Sequence, residues 1–420
     1  MGAERAGNAD GSIPPWTGGV VSSPLPCNAA IAVRLFENEA PLYEVNVSNM
    51  HQFEGLLTEG TKYQIMTFGL TAQVYRTHRT AAAPQYVYDN AAKNVTRALV
   101  DPRGGRYGFT GAVGGPPFPI IDISDPLVAG AQLIWNHLTS WQGYSAITRF
   151  DPYMVVVEGE PILAAGTLCH TVYPYYAPDV TPDNYDGYYS KGHYYCKAPA
   201  TVVGQETLVW HSTNVNVCPD ITWTLLNGQG RVRKAPDEAY DTPDAQSNGV
   251  CNIDELSCFY GNPSQYDWTY ITKKEMLVPY NCNKILFSDV QRVLGPNFPR
   301  PEFVRWEKHR VWIVEATLAP GENNMTAKRR LYIDEDTWSV LLGEGYDTQG
   351  DLVKSYAIYN ECVPSMPGTT EMSSATYALD TGNYSFFGNN NYAQFSTAEF
   401  LGPLPGADFE PQEMAAKASF

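Results

Sequence analysis

Residues 304–318, VRWEKHRVWIVEATL, have the length and composition of one long β-strand, but charged side chains interrupt the first half. Alternation divides this strand into two faces, one with Val304, Trp306, Lys308, Arg310, Trp312, Val314, Ala316 and Leu318, the other with Arg305, Glu307, His309, Val311, Ile313 and Glu315. Charges occur on both faces of the first half, whereas the second half is largely apolar. We therefore predict that the strand runs from a solvated sheet rim into a covered core, and that its charges are structural and not catalytic.

The segments that follow this strand have the rhythm of an antiparallel meander. The runs KRRLYID (328–334), WSVLLGEGYD (338–347) and DLVKSYAIYN (351–360) are separated by the turn sequences EDT and TQG. Together with the first strand they predict four sequential neighbours of one antiparallel sheet. We interpret residues 300–362 as a C-terminal meander within a single large domain spanning residues 1–420.

The composition favours a β-rich protein and disfavours polyanionic partners. The 420 residues include 28 Tyr, 16 Phe and 9 Trp with 35 Gly and 31 Pro, which suits half-buried strands joined by turns. A formal net charge of −17 argues against binding to nucleic acid or to an anionic membrane surface. No apolar run approaches the roughly 20 residues that a membrane-spanning helix needs.

Helices are predicted at a few places, and we expect them to cover one side of the sheet. Residues 49–69 have helical spacing with a break near Gly60, while residues 124–143, SDPLVAGAQLIWNHLTSWQG, give the clearest helix, with Ser124 as its N-cap and Pro126 in its first turn. A short helix is expected at SDVQRVLG, capped by Ser288. Residues 1–45 are interpreted as an N-terminal arm and first strand.

Eight cysteines predict an oxidising compartment, and six of them lie between residues 169 and 282. Residues 160–285 therefore form a cysteine-rich, insertion-like segment, in which Cys251 and Cys258 are the expected local disulfide. The pairs Cys169–His170 and His193–Cys196 offer four zinc ligands, but their spacing matches no known zinc motif, so disulfides are favoured and no metal site is predicted.

Catalytic motifs are absent from the sequence, and the basic clusters have two interpretations. There is no G-x-S-x-G elbow, no glycine-rich phosphate loop and no H-E-x-x-H, so neither catalytic residues nor cofactors are predicted. The charged side chains either bind an anionic head group or pair with carboxylates across strands; they are Arg76, Arg79, Arg305, Glu307 and Arg310. For Arg305 and Arg310 we expect carboxylates from neighbouring strands or from the acidic loop around Asp237 and Asp241.

Sequence blocks spanning nearly the whole chain resemble the bacterial family called domain of unknown function 1329. In order, they are GAERAGNADGSIPPWTGG, VYRTHRTAAAPQYVYDNAAKNVTRA, GGPPFPI with IWNHL, GRVRKAPDEAYDTP, KKEMLVPYN, VRWEKHRVWIVEATL and RRLYIDEDTWSVLLGEGYDTQGDL. The chain departs from the family pattern at NGVCNIDELSCFYGNPSQYDW, where Cys251 and Cys258 are inserted.

The resemblance implies a fold like that of the periplasmic lipoprotein carriers LolA and LolB. This is a β-dominated α+β fold with a strongly curved antiparallel sheet, an incomplete barrel, covered by a few helices. It further implies an exported protein, either free in the periplasm or associated with the outer membrane, that works beside an inner-membrane exporter of the resistance-nodulation-division type and an outer-membrane protein. No catalytic residues are implied.

Three functions follow from these observations. The favoured one is a non-enzymatic carrier or chaperone for a lipid or other hydrophobic molecule, held between sheet and helices by aromatic side chains. The aromatic candidates for this role are Trp135, Trp141, Trp306, Trp312, Trp338 and Tyr332. The alternatives are an adaptor subunit without ligand and, less favoured, a hydrolase of a hydrophobic ester.

Overall fold

The computed structural model describes residues 5–21, 35–157, 159–226, 230–235, 242–244, 247, 249–364, 366, 368–388, 398–401, 404 and 406–417. The strands, in chain order, are β1 (Tyr43–Val45), β2 (Ala72–Val74), β3 (Leu99–Val100), β4 (Phe109–Thr110), β5 (Ser145–Val155), β6 (Ile162–Leu163), β7 (Gly166–Val172), β8 (Tyr188–Ala198), β9 (Glu206–Ser212), β10 (Ile221–Leu225), β11 (Val232–Lys234), β12 (Tyr266–Pro279), β13 (Trp306–Leu318), β14 (Lys328–Asp334), β15 (Val340–Tyr346), β16 (Leu352–Val363), β17 (Gly368–Ala378), β18 (Tyr384–Gly388) and β19 (Ala398–Leu401). The α-helices are α1 (Glu59–Phe68), α2 (Gln85–Arg97), α3 (Pro126–Leu138), α4 (Asn283–Leu286), α5 (Val290–Val293) and α6 (Pro411–Lys417).

One antiparallel sheet organises the molecule. Its strands follow the order β11-β10-β9-β8-β7-β5-β18-β17-β16-β15-β14-β13-β12, and each strand is antiparallel to its neighbours. The edge strands β11 and β12 do not pair with each other within the described residues, so the sheet does not close into a barrel. This confirms the predicted β-dominated architecture with an unclosed antiparallel sheet.

The C-terminal meander is confirmed strand by strand. β13 pairs with β14, β14 with β15 and β15 with β16, in each case as sequential antiparallel neighbours. β1 and β2 form an antiparallel pair whose connection contains α1, and this pair joins the beginning of β13, where Val74 lies beside Trp306 in a parallel bridge. The pairing brings residues 75–81 against the charged first half of β13.

The centre of the sheet is apolar on both faces, which places helices on both sides of it. Val311 and Ile313 belong to one hydrophobic cluster, whereas Trp312 and Val314 belong to another. On the first face Gly60 of α1 packs so closely on β16 that an added Cβ would lie 2.5 Å from Ser355 Oγ. On the second face α3 packs against β12. The prediction that helices cover one side is therefore wrong, because strands buried on both faces need cover on both.

The helix boundaries correct the sequence-based expectations in detail. Two short 3₁₀ turns, at 50–52 and 54–56, precede α1, and Gly60 lies inside the first turn of α1 and does not break it. The side chain of Asp125 caps α3, and Asp289 caps α5, each one residue after the predicted serine. Helix α2 was not predicted; no side chain caps its N-terminus, where Pro84 stands.

The disulfide prediction is wrong for the described cysteines, and Cys27 lies outside the described residues. Seven thiols are free, among them Cys251 and Cys258, which are both buried. Cys251 Sγ lies 3.0 Å from the carbonyl oxygen of Asn252, whereas Cys258 packs in an aromatic cluster with Phe259. Burial raises the pKa of the Cys169 thiol to about 11. Such thiols behave as small apolar side chains.

His137 of α3 is held in a neutral form by two backbone groups. The amide of Val340 donates to His137 Nδ1 over 3.1 Å, so Nε2 carries the proton and donates to the carbonyl of Phe259 over 3.2 Å. Burial lowers the pKa of His137 to about 4. In the unfolded chain the same imidazole takes up a proton near pH 6.5.

We therefore expect His137 to stabilise the fold fully above about pH 6.5 and to lose this contribution as the pH falls towards 4, because only the unfolded state gains a proton in that window. The loss should reach about 3 kcal/mol. Urea denaturation of the wild type and of His137→Gln between pH 7 and 4.5 measures this loss as a change, with pH, in the difference between their free energies of unfolding. Parallel pH profiles of the two proteins would contradict the assignment.

Candidate functional site

A buried charge cluster surrounds the beginning of β13 and the turn between β14 and β15. We define its members as Glu39, His78, Arg79, Lys273, Arg305, Glu307, His309, Arg310, Asp334, Glu335 and Asp336, which ion pairs connect. The predicted solvated rim is wrong: Glu307 is fully buried and His309 is 1 % exposed. The reason is that residues 75–81 and the N-terminal arm cover this end of the strand.

Both carboxylate oxygens of Glu307 have partners within the protein. Its Oε2 accepts from the backbone amide of His78 over 2.8 Å and lies 3.1 Å from His309 Nε2. Its Oε1 accepts from Asn281 Nδ2 over 3.1 Å and from Arg305 Nε. Every one of these contacts stabilises a charged carboxylate, so the site favours structural ion pairing over transfer of a proton.

Arg79 and Arg310 fasten the N-terminal arm to the sheet. Arg79 pairs with Glu335 and Asp336, and its Nη1 donates to the carbonyl of Arg5 over 3.1 Å. Arg310 Nη2 donates to Glu335 over 2.8 Å and to the carbonyl of Ala6 over 2.6 Å. Although burial disfavours the charged guanidinium, Asp336 and Glu335 raise the pKa of Arg79. The arm is thus held through its backbone carbonyls, and also through its side chains, since Asn8 Nδ2 donates to Glu275 over 3.0 Å and Trp16 Nε1 to the carbonyl of Ala81 over 2.7 Å.

The other charged residues singled out from the sequence lie around Glu307 and Glu335. Arg305 pairs with Glu307 and, over 2.7 Å, with Glu39, and it donates to the carbonyl of Arg76, whose own side chain is exposed. Arg310 meets Glu335 directly after β14, which agrees with a partner from the neighbouring strand. The loop residues Asp237 and Asp241 lie outside the described residues.

His309 and Asp334 are adjacent titratable groups of the cluster. Although burial opposes its charge, the hydrogen bond to Glu307 and the charge of Asp334 raise the pKa of His309. Burial, followed by repulsion from Asp336, raises the pKa of Asp334 to about 6. Tyr280 stacks on the imidazole with 3.8 Å between ring centroids and donates to Asp334 Oδ2 over 3.1 Å.

A cavity of about 280 Å³ adjoins this cluster. Helix α2, the loop at 81–83, residues 116–120, the arm and the β14–β15 turn line it, and it opens to solvent beside the exposed side chains of Val95 and Ile120. Its walls are mainly apolar and consist of Trp16, Ala81, Ala82, Ala83, Val87, Tyr88, Ala91, Ala92, Val95, Pro116, Pro119, Ile120, Trp141 and Trp338, and the polar members are Arg5, Asp336, Thr337 and Thr369. Such a chamber, apolar with a few polar groups at one side, is suited to an apolar ligand.

The structure brings two of the six predicted aromatic residues to this cavity, Trp141 and Trp338. Trp135 and Trp312 pack in the cluster below α3, and Tyr332 lies in the cluster on the opposite face, where its hydroxyl donates to Glu344. Trp306 borders a void of only about 20 Å³. The cavity's principal wall, α2, was not predicted from the sequence, where its alanines and valines are the only signal for it.

Comparison with known proteins gives one family and several relatives. The family described as "Protein of unknown function (DUF1329)" matches residues 44–415. The uncharacterized protein PA3922 of Pseudomonas aeruginosa is 34 % identical over 369 residues, which are 84 % of this chain and 76 % of that protein.

Solved structures show similarity at low sequence identity. A DUF1329 family protein from Desulfovibrio piger aligns with a TM-score of 0.48 and 14 % identity, covering 69 % of this chain and 100 % of that one. A putative outer membrane lipoprotein-sorting protein domain from Vibrio parahaemolyticus aligns with a TM-score of 0.47 and 15 % identity, covering 69 % and 99 %. The LolA superfamily protein NE2245 from Nitrosomonas europaea gives 0.37 and 10 %, covering 65 % and 92 %.

Replacing Glu307 by Gln tests whether the cluster is structural. Because Glu307 is fully buried and Arg305 and His309 lose their shared counter-charge, we expect the free energy of unfolding to fall by about 3–5 kcal/mol. The half-exposed pair of Glu315 and Arg330 provides a matched control, for which Glu315→Gln should cost about 1 kcal/mol or less. Denaturant titration measures both. A folded Glu307→Gln protein of unchanged stability that loses ligand binding would show a chemical role instead.

Proposed function

The chain belongs to the DUF1329 family of proteins of unknown function, and we propose that it is a non-enzymatic carrier or chaperone for a lipid or other hydrophobic molecule. The observation that carries this proposal is the cavity of about 280 Å³ with mainly apolar walls beside α2. The ligand's apolar body occupies this chamber, with Trp141 and Trp338 as its aromatic walls.

The cavity suits reversible uptake because much of its wall is built from small side chains. Alanines on α2 and on the loop at 81–83 leave the space open, and Asn94 fastens α2 to the carbonyl oxygens of Gly115 and Pro116 at 3.0 Å each. A wall fixed through backbone contacts holds its shape without a ligand, which lowers the entropic cost of binding.

The polar side of the cavity has an uneven charge. Asp336 lines the cavity, but Arg79 binds both of its carboxylate oxygens. Arg5 stacks its guanidinium on Trp16 at 4.1 Å from the ring centroid, and it has no carboxylate partner among the described residues. An unneutralised cation beside an apolar chamber favours a ligand with an anionic head group.

The cellular setting is part of the proposal. The sequence resemblance to exported proteins supports a periplasmic location, either free or at the outer membrane, with an inner-membrane exporter and an outer-membrane protein as partners. Among the described residues, no helix is long and apolar enough to cross a membrane. The carrier receives its hydrophobic cargo from one of these partners and delivers it to another.

Filling the cavity tests the proposal directly. Ala91→Phe places a ring inside the chamber from the buried face of α2, and we expect it to weaken uptake of a fluorescent fatty acid by at least about tenfold, a loss of about 1.4 kcal/mol. Thr96→Phe makes a similar addition on the exposed face of α2 and serves as the control. Equal binding by both variants, with both folded, would contradict the assignment of the cavity.

Changing the charge of Arg5 tests the polarity of the ligand. Arg5→Gln should weaken binding of the fatty-acid anion several-fold and leave binding of the matching fatty alcohol unchanged, because only the anion interacts with the guanidinium. Titrations at low and high salt provide a second readout, since screening reduces the difference. If organic extracts of the purified protein contain no lipid and both probes fail to bind, the adaptor alternative replaces the carrier.

A further inference from the structure

We propose that His309, Asp334 and Asp336 form a binding site for a divalent transition-metal cation, a role that is independent of the carrier function. Their ligand atoms lie within 4.8 Å of one another in the buried charge cluster. His309 Nδ1 and Asp334 Oδ1 are 3.9 Å apart, too far for a hydrogen bond. An ion at about 2.0–2.2 Å from each atom spans this gap.

An unsatisfied buried oxygen points to the same position. Asp334 is fully buried, and its Oδ1 has no hydrogen-bond partner within the described residues. The other oxygen, Oδ2, accepts from Tyr280 and from both the amide and the hydroxyl of Thr337. A buried carboxylate oxygen without a partner is costly, and a metal ion beside His309 removes that cost.

Neighbouring groups hold the donors in place by hydrogen bonds, as the groups around metal ligands commonly do. Glu307 Oε2 lies 3.1 Å from His309 Nε2, so a proton on Nε2 leaves Nδ1 available as a ligand on the side of Asp334. Thr337 fixes the carboxylate of Asp334, and Arg79 fixes that of Asp336. A carboxylate–histidine pair of this kind fixes the tautomer and raises the basicity of the ligating nitrogen.

The permanent charges of the cluster sum to a negative value. Its carboxylates are Glu39, Glu307, Asp334, Glu335 and Asp336, and its permanent cations are Arg79, Lys273, Arg305 and Arg310. Five negative groups face four positive ones, so the members sum to one excess negative charge when the imidazoles are counted as neutral. A bound divalent ion changes this sum from −1 to +1, so the members neutralise one of its two charges.

The donor set defines the class of ion. One imidazole nitrogen and carboxylate oxygens suit Zn²⁺, Mn²⁺ or Co²⁺, whereas a site without thiolates does not select Cu⁺. Asp336 also lines the cavity, so an ion reaches the cluster from that side. The zinc ligands weighed from the sequence do not assemble: His170 and His193 face each other across β7 and β8, but His193 Nε2 is bonded to Glu206.

Cobalt binding to the full-length, chelator-treated protein tests the proposal. We expect one saturable equivalent of Co²⁺ with the weak visible bands of nitrogen and oxygen ligation, and a rise in Tm of a few degrees. A strong thiolate-to-cobalt band would instead place the ion on cysteines and overturn the proposal. So would the absence of saturable binding by the folded wild type, a measurement that needs no variant.

Three Asp or His substitutions locate the ion. Asp334→Asn and His309→Gln should each weaken Co²⁺ binding by at least about tenfold, whereas Asp267→Asn, which alters a partly exposed acid paired with Arg106, should not. Near-UV circular dichroism establishes that each variant is folded. Unchanged affinity in both folded cluster variants would overturn the assignment, and an unfolded variant leaves the wild-type stoichiometry and spectrum as the deciding result.

Discussion

The desolvated carboxylates of the β14–β15 turn are the constraint on which this end of the molecule depends. Glu335 and Asp336 have side chains only 4 % and 3 % exposed, so each needs cations and donors within the protein. Arg79 and Arg310 supply the charge, and their remaining N–H groups have to find acceptors of their own. The carbonyl oxygens of the N-terminal arm are those acceptors, which is why an irregular segment is held firmly against the sheet.

The cavity follows from the same arrangement. Fastening the arm places Arg5 and Trp16 opposite α2, while the β14–β15 turn contributes Asp336, Thr337 and Trp338 to the same chamber. The charged cluster and the apolar cavity therefore share two structural elements, the N-terminal arm and the β14–β15 turn. The ion pairs position the wall, and the small side chains of α2 keep the chamber open.

The sheet supplies the rigid support for both features. Its central strands are buried on both faces, with α1 and α3 packed on opposite sides through the close approaches of Gly60 and Gly130. A doubly covered antiparallel sheet leaves little freedom for its loops at the covered end. Buried thiols of the cysteine-rich segment belong to this packing, since Cys169 lies beside the hydroxyl of Thr171 and Cys258 lies in an aromatic cluster, and neither forms a disulfide.

The sequence alone determined the β-rich architecture and the four-strand meander, because alternation and short turns are local properties of residues 304–360. It also predicted α3, through a proline in the first turn and an apolar stripe. Long-range contacts decided what local patterns cannot encode. The sequence pattern around Glu307 predicts a solvated charge, but residues 75–81 and Glu39 cover it in the folded protein. Trp141 and Trp338 line the cavity, whereas Trp135 and Trp312 lie in the core, and only their neighbours in the fold distinguish the two pairs. The seven described thiols are free, because which cysteines meet depends on burial and on the path of the backbone, which are properties of the folded chain as a whole.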